Sequence, residues 1–162
     1  MRKLIAAGSA LAVVIAIGAI LASTGGAAES GSHRAATKTH EVTVPESDRF
    51  TPFALTIRSG DTVRWVNNDE DDHTVVSDDA FNTAGHDGID QELAADGGTL
   101  TLRFNHPGTF VYYCRFHAQL DEFNQPVAPG PDGGIQDANG NFGTPMSGVI
   151  TVVPGNSGDS NG

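Results

Sequence analysis

The sequence is poor in cysteine and in positive charge, and both shortages limit what the protein can do. Cys114 is the only cysteine among 162 residues, so an internal disulfide is excluded. Nine lysines and arginines stand against 20 aspartates and glutamates, which gives a formal net charge of −11. A chain this acidic is poorly suited to the phosphate backbone of a nucleic acid. Cationic partners or a salty medium suit it better.

The N terminus has the composition of an export signal. Arg2 and Lys3 precede an apolar run over residues 4–21, and residues 26–28 are small enough for cleavage. We expect residues 1–28 to be a signal peptide, with an uncleaved membrane anchor as the alternative. This predicts an exported protein, either periplasmic or extracellular. Cleavage of the signal peptide would remove two positive charges and move the formal net charge to −13.

The sequence also lacks a long helical pattern, although residues 91–95 are consistent with one helical turn. We expect a flexible linker over 29–37, one domain over 38–153 and a disordered tail over 154–162. Short segments rich in β-branched and aromatic residues alternate with turn residues, which predicts an all-β Greek-key sandwich of about seven to eight strands. The predicted strands comprise residues 39–44, 53–58, 62–67, 74–77, 99–104, 109–113 and 148–153.

Cys114 belongs to a pattern of four potential metal ligands. His73 lies upstream, His117 follows in a Cys-x-x-His spacing, and Met146 lies downstream. An exported free thiol is open to oxidation unless it is buried, paired or bound to a metal, and the flanking histidine favours a metal. Two imidazoles, one thiolate and a weak axial thioether suit copper in both oxidation states. The pattern therefore predicts a single copper ion, cycling between Cu(I) and Cu(II).

An insertion over residues 119–145 separates the last two of these ligands. It is crowded with glycine, proline, aspartate and asparagine, and loops this long are usually functional or mobile. Lengthening a loop from about 4 to 28 residues costs roughly 1.5–2 kcal/mol. Metal binding contributes on the order of 10 kcal/mol, so the insertion does not prevent Met146 from ligating. Gln119 and Glu122 remain alternative axial donors.

These residues resemble the cupredoxins, the small blue copper proteins, in their plastocyanin/azurin branch. The resemblance covers about residues 38–118 and 144–153, and it implies a β-sandwich with type 1 copper at one end, bound by His73, Cys114, His117 and Met146. Proteins of this kind pass electrons through the outer edge of the second histidine, or through a tyrosine before the cysteine, here Tyr113. The matching segments are Gly60–Asn67, His73–Val75, Gly97–Thr99, Pro107–Phe110, Tyr112–His117 and Met146–Ile150.

One position departs from the family pattern in a way that affects the site. Thr74 follows the first histidine, where plastocyanin and azurin carry an asparagine. A threonine hydroxyl can still act as a partner for the cysteine loop and orient it. We therefore expect the loop around the thiolate to be held by a hydroxyl instead of an amide.

The leading functional prediction is a monomeric one-electron carrier between redox proteins, not an enzyme. The acidic run Asp69–Asp72 is expected to steer partners with basic docking surfaces, with peripheral membrane contact or none. A copper capture or delivery protein using the same site is the alternative, with the insertion as a lid. A copper enzyme such as a nitrite reductase domain needs further clustered histidines. The remaining ones, which show no such spacing and for which we expect a solvent-exposed role, are His33, His40, His86 and His106.

Overall fold

The computed structural model describes residues 36–85 and 88–155 of the chain. The expected signal peptide, almost all of the linker and the tail beyond residue 155 lie outside the described residues, so the predicted domain boundaries stay predictions. The described residues form twelve strands and no helix, and none of their elements is a helix long and apolar enough to cross a membrane. The fold is therefore all-β, as predicted.

Eight strands build two facing sheets. The smaller sheet has the order β1-β3-β6 and the larger has β2-β12-β7-β4-β5. Two pairs are parallel, β1 with β3 and β2 with β12, and the other pairs within these sheets are antiparallel. The strands are β1 (Thr39–Val44), β2 (Ala54–Arg58), β3 (Thr62–Asn67), β4 (His73–Ser77), β5 (Ile89–Leu93), β6 (Thr99–Arg103), β7 (Gly108–Tyr113) and β12 (Ser147–Val153).

The helical turn expected at residues 91–95 is wrong, because Ile89–Leu93 is an edge strand of the larger sheet. Only Ile89 and Leu93 of this strand are buried, and the three residues between them are exposed. A spacing of four between two apolar residues imitates one face of a helix. Backbone pairing with β4 overrides that local pattern.

The core between the sheets is aromatic near the predicted ligands. Trp65 on β3 and Phe110 and Tyr112 on β7 are fully buried. The Trp65 and Tyr112 rings meet edge to face with centroids 5.5 Å apart, and Phe50 contacts Tyr112 at 4.7 Å. Edge-to-face pairs at these distances add about 0.5–1.5 kcal/mol beyond the burial of area. This packing gives the C-terminal end of β7, where Cys114 follows, a rigid support.

The insertion is folded, which its composition did not predict. It contains two short hairpins, one from β8 (Gln119–Leu120) and β9 (Pro126–Ala128), the other from β10 (Ile135–Gln136) and β11 (Phe142–Thr144). The segment between the hairpins lies against the residues that follow Cys114. There the Asp132 N–H donates a hydrogen bond of 3.1 Å to the Phe116 carbonyl.

Candidate metal centre

The fold brings the histidines and the cysteine of the predicted site together. His73 is the first residue of β4, and Cys114 follows the last residue of β7, its neighbour in the sheet. The Cys114 Sγ atom lies 3.8 Å from His73 Nδ1 and 3.5 Å from His117 Nδ1. One ligand atom from each of the three residues fits within 4.8 Å of the others, and all three residues are buried. This is a trigonal His2Cys arrangement shielded from water.

Met146 is the axial candidate that the structure favours. Its residue is fully buried, and its backbone is tied to both sides of the Cys114–His117 loop. The Cys114 N–H donates to the Met146 carbonyl at 3.0 Å, and the Met146 N–H donates to the His117 carbonyl at 2.8 Å. The two alternative donors, Gln119 and Glu122, are both exposed. The insertion therefore returns the chain to the metal centre before β12 begins.

Thr74 holds the ligand loop as expected. Its hydroxyl donates toward Cys114 Sγ at 3.7 Å and accepts a hydrogen bond of 3.0 Å from the Arg115 N–H. Thr74 is fully buried, so neither contact competes with water. One side chain on β4 thus fixes the direction of the sulfur and the backbone that follows it.

The electrostatics of the thiol suit a metal ligand. Burial alone would raise the pKa of Cys114, but hydrogen bonds from His117 and then His73 outweigh burial and lower that pKa to about 5. Burial lowers the pKa of His117, but the hydrogen bond and the negative charge of Cys114 raise that pKa by more, so the net shift is upward. The thiol is therefore deprotonated at neutral pH, the form that binds a metal. The residues present fit a copper ion.

A carboxylate that the sequence did not single out lies on the outer side of both histidines. Asp48 Oδ1 is 3.5 Å from His117 Nε2 and 3.9 Å from His73 Nε2. Asp69 Oδ2 lies 3.5 Å from His73 Nε2. No spacing in the sequence signals Asp48, because it lies in the turn between β1 and β2, far along the chain from each histidine. The acidic surroundings of the site therefore begin at the imidazoles themselves.

The outer edge of His117 is nearly covered, in contrast to the open edge that the resemblance implies. Only 5% of the residue is exposed. A depression reaches it from the surface, and the acidic residues lining that depression are Asp71, Asp72 and, from the insertion, Asp132. Tyr113 is the other residue through which electrons are expected to pass. Burial raises the pKa of Tyr113, and the negative charges of Asp90 and Asp78 raise that pKa further.

The remaining histidines do not build a second metal centre within residues 36–85 and 88–155. His40 is paired with the buried Asp61 at 2.9 Å and its side chain is 25% exposed, so it is less exposed than expected. His106 is exposed, as expected. His33 and His86 lie outside the described residues. The only other group of potential ligands in the described part reuses His73, with Asp48 and Asp69.

Comparisons with known proteins agree with this geometry. Residues 36–121 match the model of a family described as "Copper binding proteins, plastocyanin/azurin family". The plastocyanin of Scenedesmus fuscus is 35% identical over 72 residues, which cover 42% of this chain and 74% of that protein. The chloroplastic plastocyanin of Chlamydomonas reinhardtii is 39% identical over 72 residues, covering 42% of this chain and 50% of its own length.

Similar solved structures include a reduced amicyanin at 19% identity and a TM-score of 0.45, covering 70% of this chain and 80% of that one. The chain spans only about half the length of several chloroplastic plastocyanins that it matches. The four residues His73, Cys114, His117 and Met146 form a type 1 copper site. The chain belongs to the plastocyanin/azurin family of copper binding proteins.

Proposed function

We propose that this protein is a one-electron carrier between redox proteins. The observation that carries the proposal is the closed ligand set: three ligand atoms lie within 4.8 Å of one another in buried residues, and Met146 is hydrogen-bonded to the same loop. Copper, when bound, supplies one-electron exchange between Cu(I) and Cu(II). Four protein ligands leave no open position for a substrate, which favours electron transfer over catalysis.

The protein residues make that exchange fast by staying in place. Cys114 and His117 are anchored to Met146 through backbone hydrogen bonds, and Thr74 fixes the Cys114 loop from β4. The rigid aromatic core around Tyr112 supports the same loop from below. A site held in this way changes little between oxidation states. Burial of the ligands also excludes water from the metal.

We propose that the partner docks with a basic surface over the depression at His117. Asp71, Asp72 and Asp132 line this depression, so their charges attract cationic side chains and raise the rate of encounter. The acidic surface beside Tyr113 offers a second approach. Its charge is reduced there because Arg115 pairs with Asp90 and, at 3.2 Å, with Glu92. The His117 depression is therefore the stronger candidate.

We also propose that the protein acts outside the cytoplasm. The basic start, the apolar run over 4–21 and the small residues at 26–28 support export. Either a periplasmic or an extracellular location is compatible with these features, as is retention by the N-terminal segment. Fractionation of cells that express the full chain, followed by N-terminal sequencing, tests both export and cleavage.

The first experiment is a Cu(II) titration of residues 29–162, followed by visible absorption and electron paramagnetic resonance. We expect an intense thiolate-to-copper band at one equivalent, which disappears on reduction with ascorbate and in Cys114→Ala. Met146→Ala should change the spectrum, whereas Gln119→Ala and Glu122→Ala should leave it unchanged. Electron self-exchange is then measured on the loaded protein. Copper bound tightly with negligible exchange would instead favour capture and delivery, and absence of the band would refute both the carrier and the blue site.

A further inference from the structure

We propose that Asp48 positions both copper-ligating histidines by serving as a shared acceptor for their outer N–H groups. This inference rests on the type 1 site and goes beyond the proposed electron transfer. One oxygen, Asp48 Oδ1, lies near both imidazoles, 3.5 Å from His117 Nε2 and 3.9 Å from His73 Nε2. Among the described residues, the Asp48 carboxylate has no hydrogen-bond partner that would draw it elsewhere.

The two histidines need such an acceptor. Each directs Nδ1 toward Cys114 Sγ, so a metal bound there leaves the ring proton on Nε2. His73 Nε2 is buried and has no hydrogen-bond partner. A buried N–H without an acceptor destabilises a fold by about 1–3 kcal/mol. The carboxylates of Asp48 and Asp69 are the acceptors nearest to this nitrogen.

The distances from Asp48 Oδ1 to the Nε2 atoms of His117 and His73 are longer than a formed hydrogen bond of about 2.7–3.2 Å. Hydrogen bonds at functional sites are often long before the site is loaded and tighten afterwards. A metal at Nδ1 fixes the tautomer that presents a proton to the carboxylate, which makes each contact a donor–acceptor pair. Asp69 is less free to respond, because its other oxygen already accepts the Glu70 N–H at 2.8 Å. Asp48 is therefore the residue that can serve both rings.

The backbone aims Asp48 at the site. Ser47 and Asp48 both adopt left-handed conformations, with φ of 88° and 50°. Backbone hydrogen bonds of 2.8 Å join Thr43 and Thr51 in both directions across the base of this turn. Phe50 anchors it by packing against Tyr112. The turn thus holds a partly buried carboxylate beside the outer nitrogens of the two histidines.

An ionised acceptor has a predictable effect on the metal. Carboxylates on the outer nitrogen make a histidine a more basic ligand, and nearby negative charge stabilises Cu(II) more than Cu(I). Asp48 should therefore lower the reduction potential. The same carboxylate fills the space beside the outer edge of His117, consistent with the 5% exposure of that residue.

The test uses Asp48→Asn and Asp48→Gly in the copper-loaded chain. Asparagine and glycine both tolerate a left-handed backbone, so neither variant adds strain. Asp71→Asn is the matched control, because it removes one charge from an exposed side chain that lines the same depression as His117, while the ion pairs to the two imidazoles come from Asp48 and Asp69. In Asp48→Asn we expect the redox equilibrium to move at least tenfold toward Cu(I), which is about 59 mV for one electron. In Asp71→Asn we expect less than a threefold change.

A second readout does not depend on the potential. In the diamagnetic Cu(I) form, the Nε2–H protons of His73 and His117 are expected to exchange slowly by nuclear magnetic resonance. Asp48→Gly should speed this exchange at His117 at least tenfold, and Asp71→Asn should not. Equal redox shifts in Asp48→Asn and Asp71→Asn, or unchanged exchange in Asp48→Gly, would overturn the proposal. If the unaltered chain lacks the blue band, the type 1 site itself fails instead.

Discussion

Gly130 of the insertion lies against the backbone of the metal-ligand loop, so its replacement by alanine tests whether the two are packed as one unit. A Cβ atom at Gly130 would overlap the Phe116 carbonyl oxygen and would lie 2.6 Å from the Ala118 nitrogen. These neighbours are backbone atoms and cannot rotate away. The insertion must therefore move, or the ligand loop must deform.

The cost follows from this geometry. Overpacking of this kind destabilises by about 1–3 kcal/mol. Displacement would also break the hydrogen bond from the Asp132 N–H to the Phe116 carbonyl, worth about 1 kcal/mol. We expect Gly130→Ala to lower the free energy of unfolding by about 2–4 kcal/mol and the Tm by on the order of 10 °C. Thermal and urea denaturation of the metal-free protein would measure both quantities.

Gly143→Ala is the matched control. A Cβ atom at Gly143 meets no atom within 4 Å, and the residue also lies in the insertion. Both substitutions reduce the freedom of the unfolded chain equally, by about 0.4–1 kcal/mol. Agreement of the two variants within about 0.5 kcal/mol would refute the packing of residue 130 on the ligand loop. A second sign of that packing is faster hydrogen exchange at the Asp132 amide in Gly130→Ala alone.

Three further predictions concern the support and charge of the site. Thr74→Val should destabilise the metal-free protein by about 1–3 kcal/mol, because it removes a buried acceptor, and Thr74→Ser should restore most of this loss in urea denaturation. Asn67→Ala should cost about 2–4 kcal/mol in the same assay, because the buried amide donates to three carbonyls and accepts one N–H; the exposed Asn68→Ala should change little. The Cys114 thiolate, followed by its ultraviolet absorbance in the metal-free protein, should titrate near pH 5 instead of about 8.5. The pKa of Cys114 is lower in the folded state than in the unfolded state, so the thiolate stabilises the fold fully above about pH 8.5, and this stabilisation is lost as the pH falls through 5. The stability advantage over Cys114→Ser should therefore shrink in acid. A titration midpoint of the thiol above pH 7 would contradict this prediction.

The sequence predicted the parts of the fold that local pattern determines. Strands such as Thr39–Val44 and Thr62–Asn67 alternate buried and less buried residues, and both appear with the predicted bounds. The spacing of Cys114 and His117 identified the ligand loop because short spacing constrains geometry directly. Strand Ile89–Leu93 was not predicted, because its two buried residues are four positions apart and only pairing with β4 makes the segment a strand.

Features that depend on distant contacts could not be predicted. The hairpins of the insertion have strands of two or three residues, too short for any alternation to show, and the segment between them packs against the backbone near Phe116. Asp48 reaches the histidines only because a left-handed turn aims it there. His40 looked like a surface residue, since nothing nearby in the sequence announces its pairing with Asp61.

The reciprocal backbone hydrogen bonds at Met146 have a consequence for how this protein can vary. The chain leaves the metal centre after His117 and returns at Met146, and these two points are already joined by a hydrogen bond of 2.8 Å. The residues between them form a loop, and this hydrogen bond holds the two ends of the loop together whatever the length of the loop. The closure of the ligand loop therefore does not depend on the length of the segment that forms part of the proposed docking surface. Replacing the hairpins of residues 119–145, while keeping the segment around Gly130 and Asp132 that packs on the ligand loop, would alter the surface around the metal centre and leave the coordination chemistry intact. This position is therefore suited to grafting new specificity.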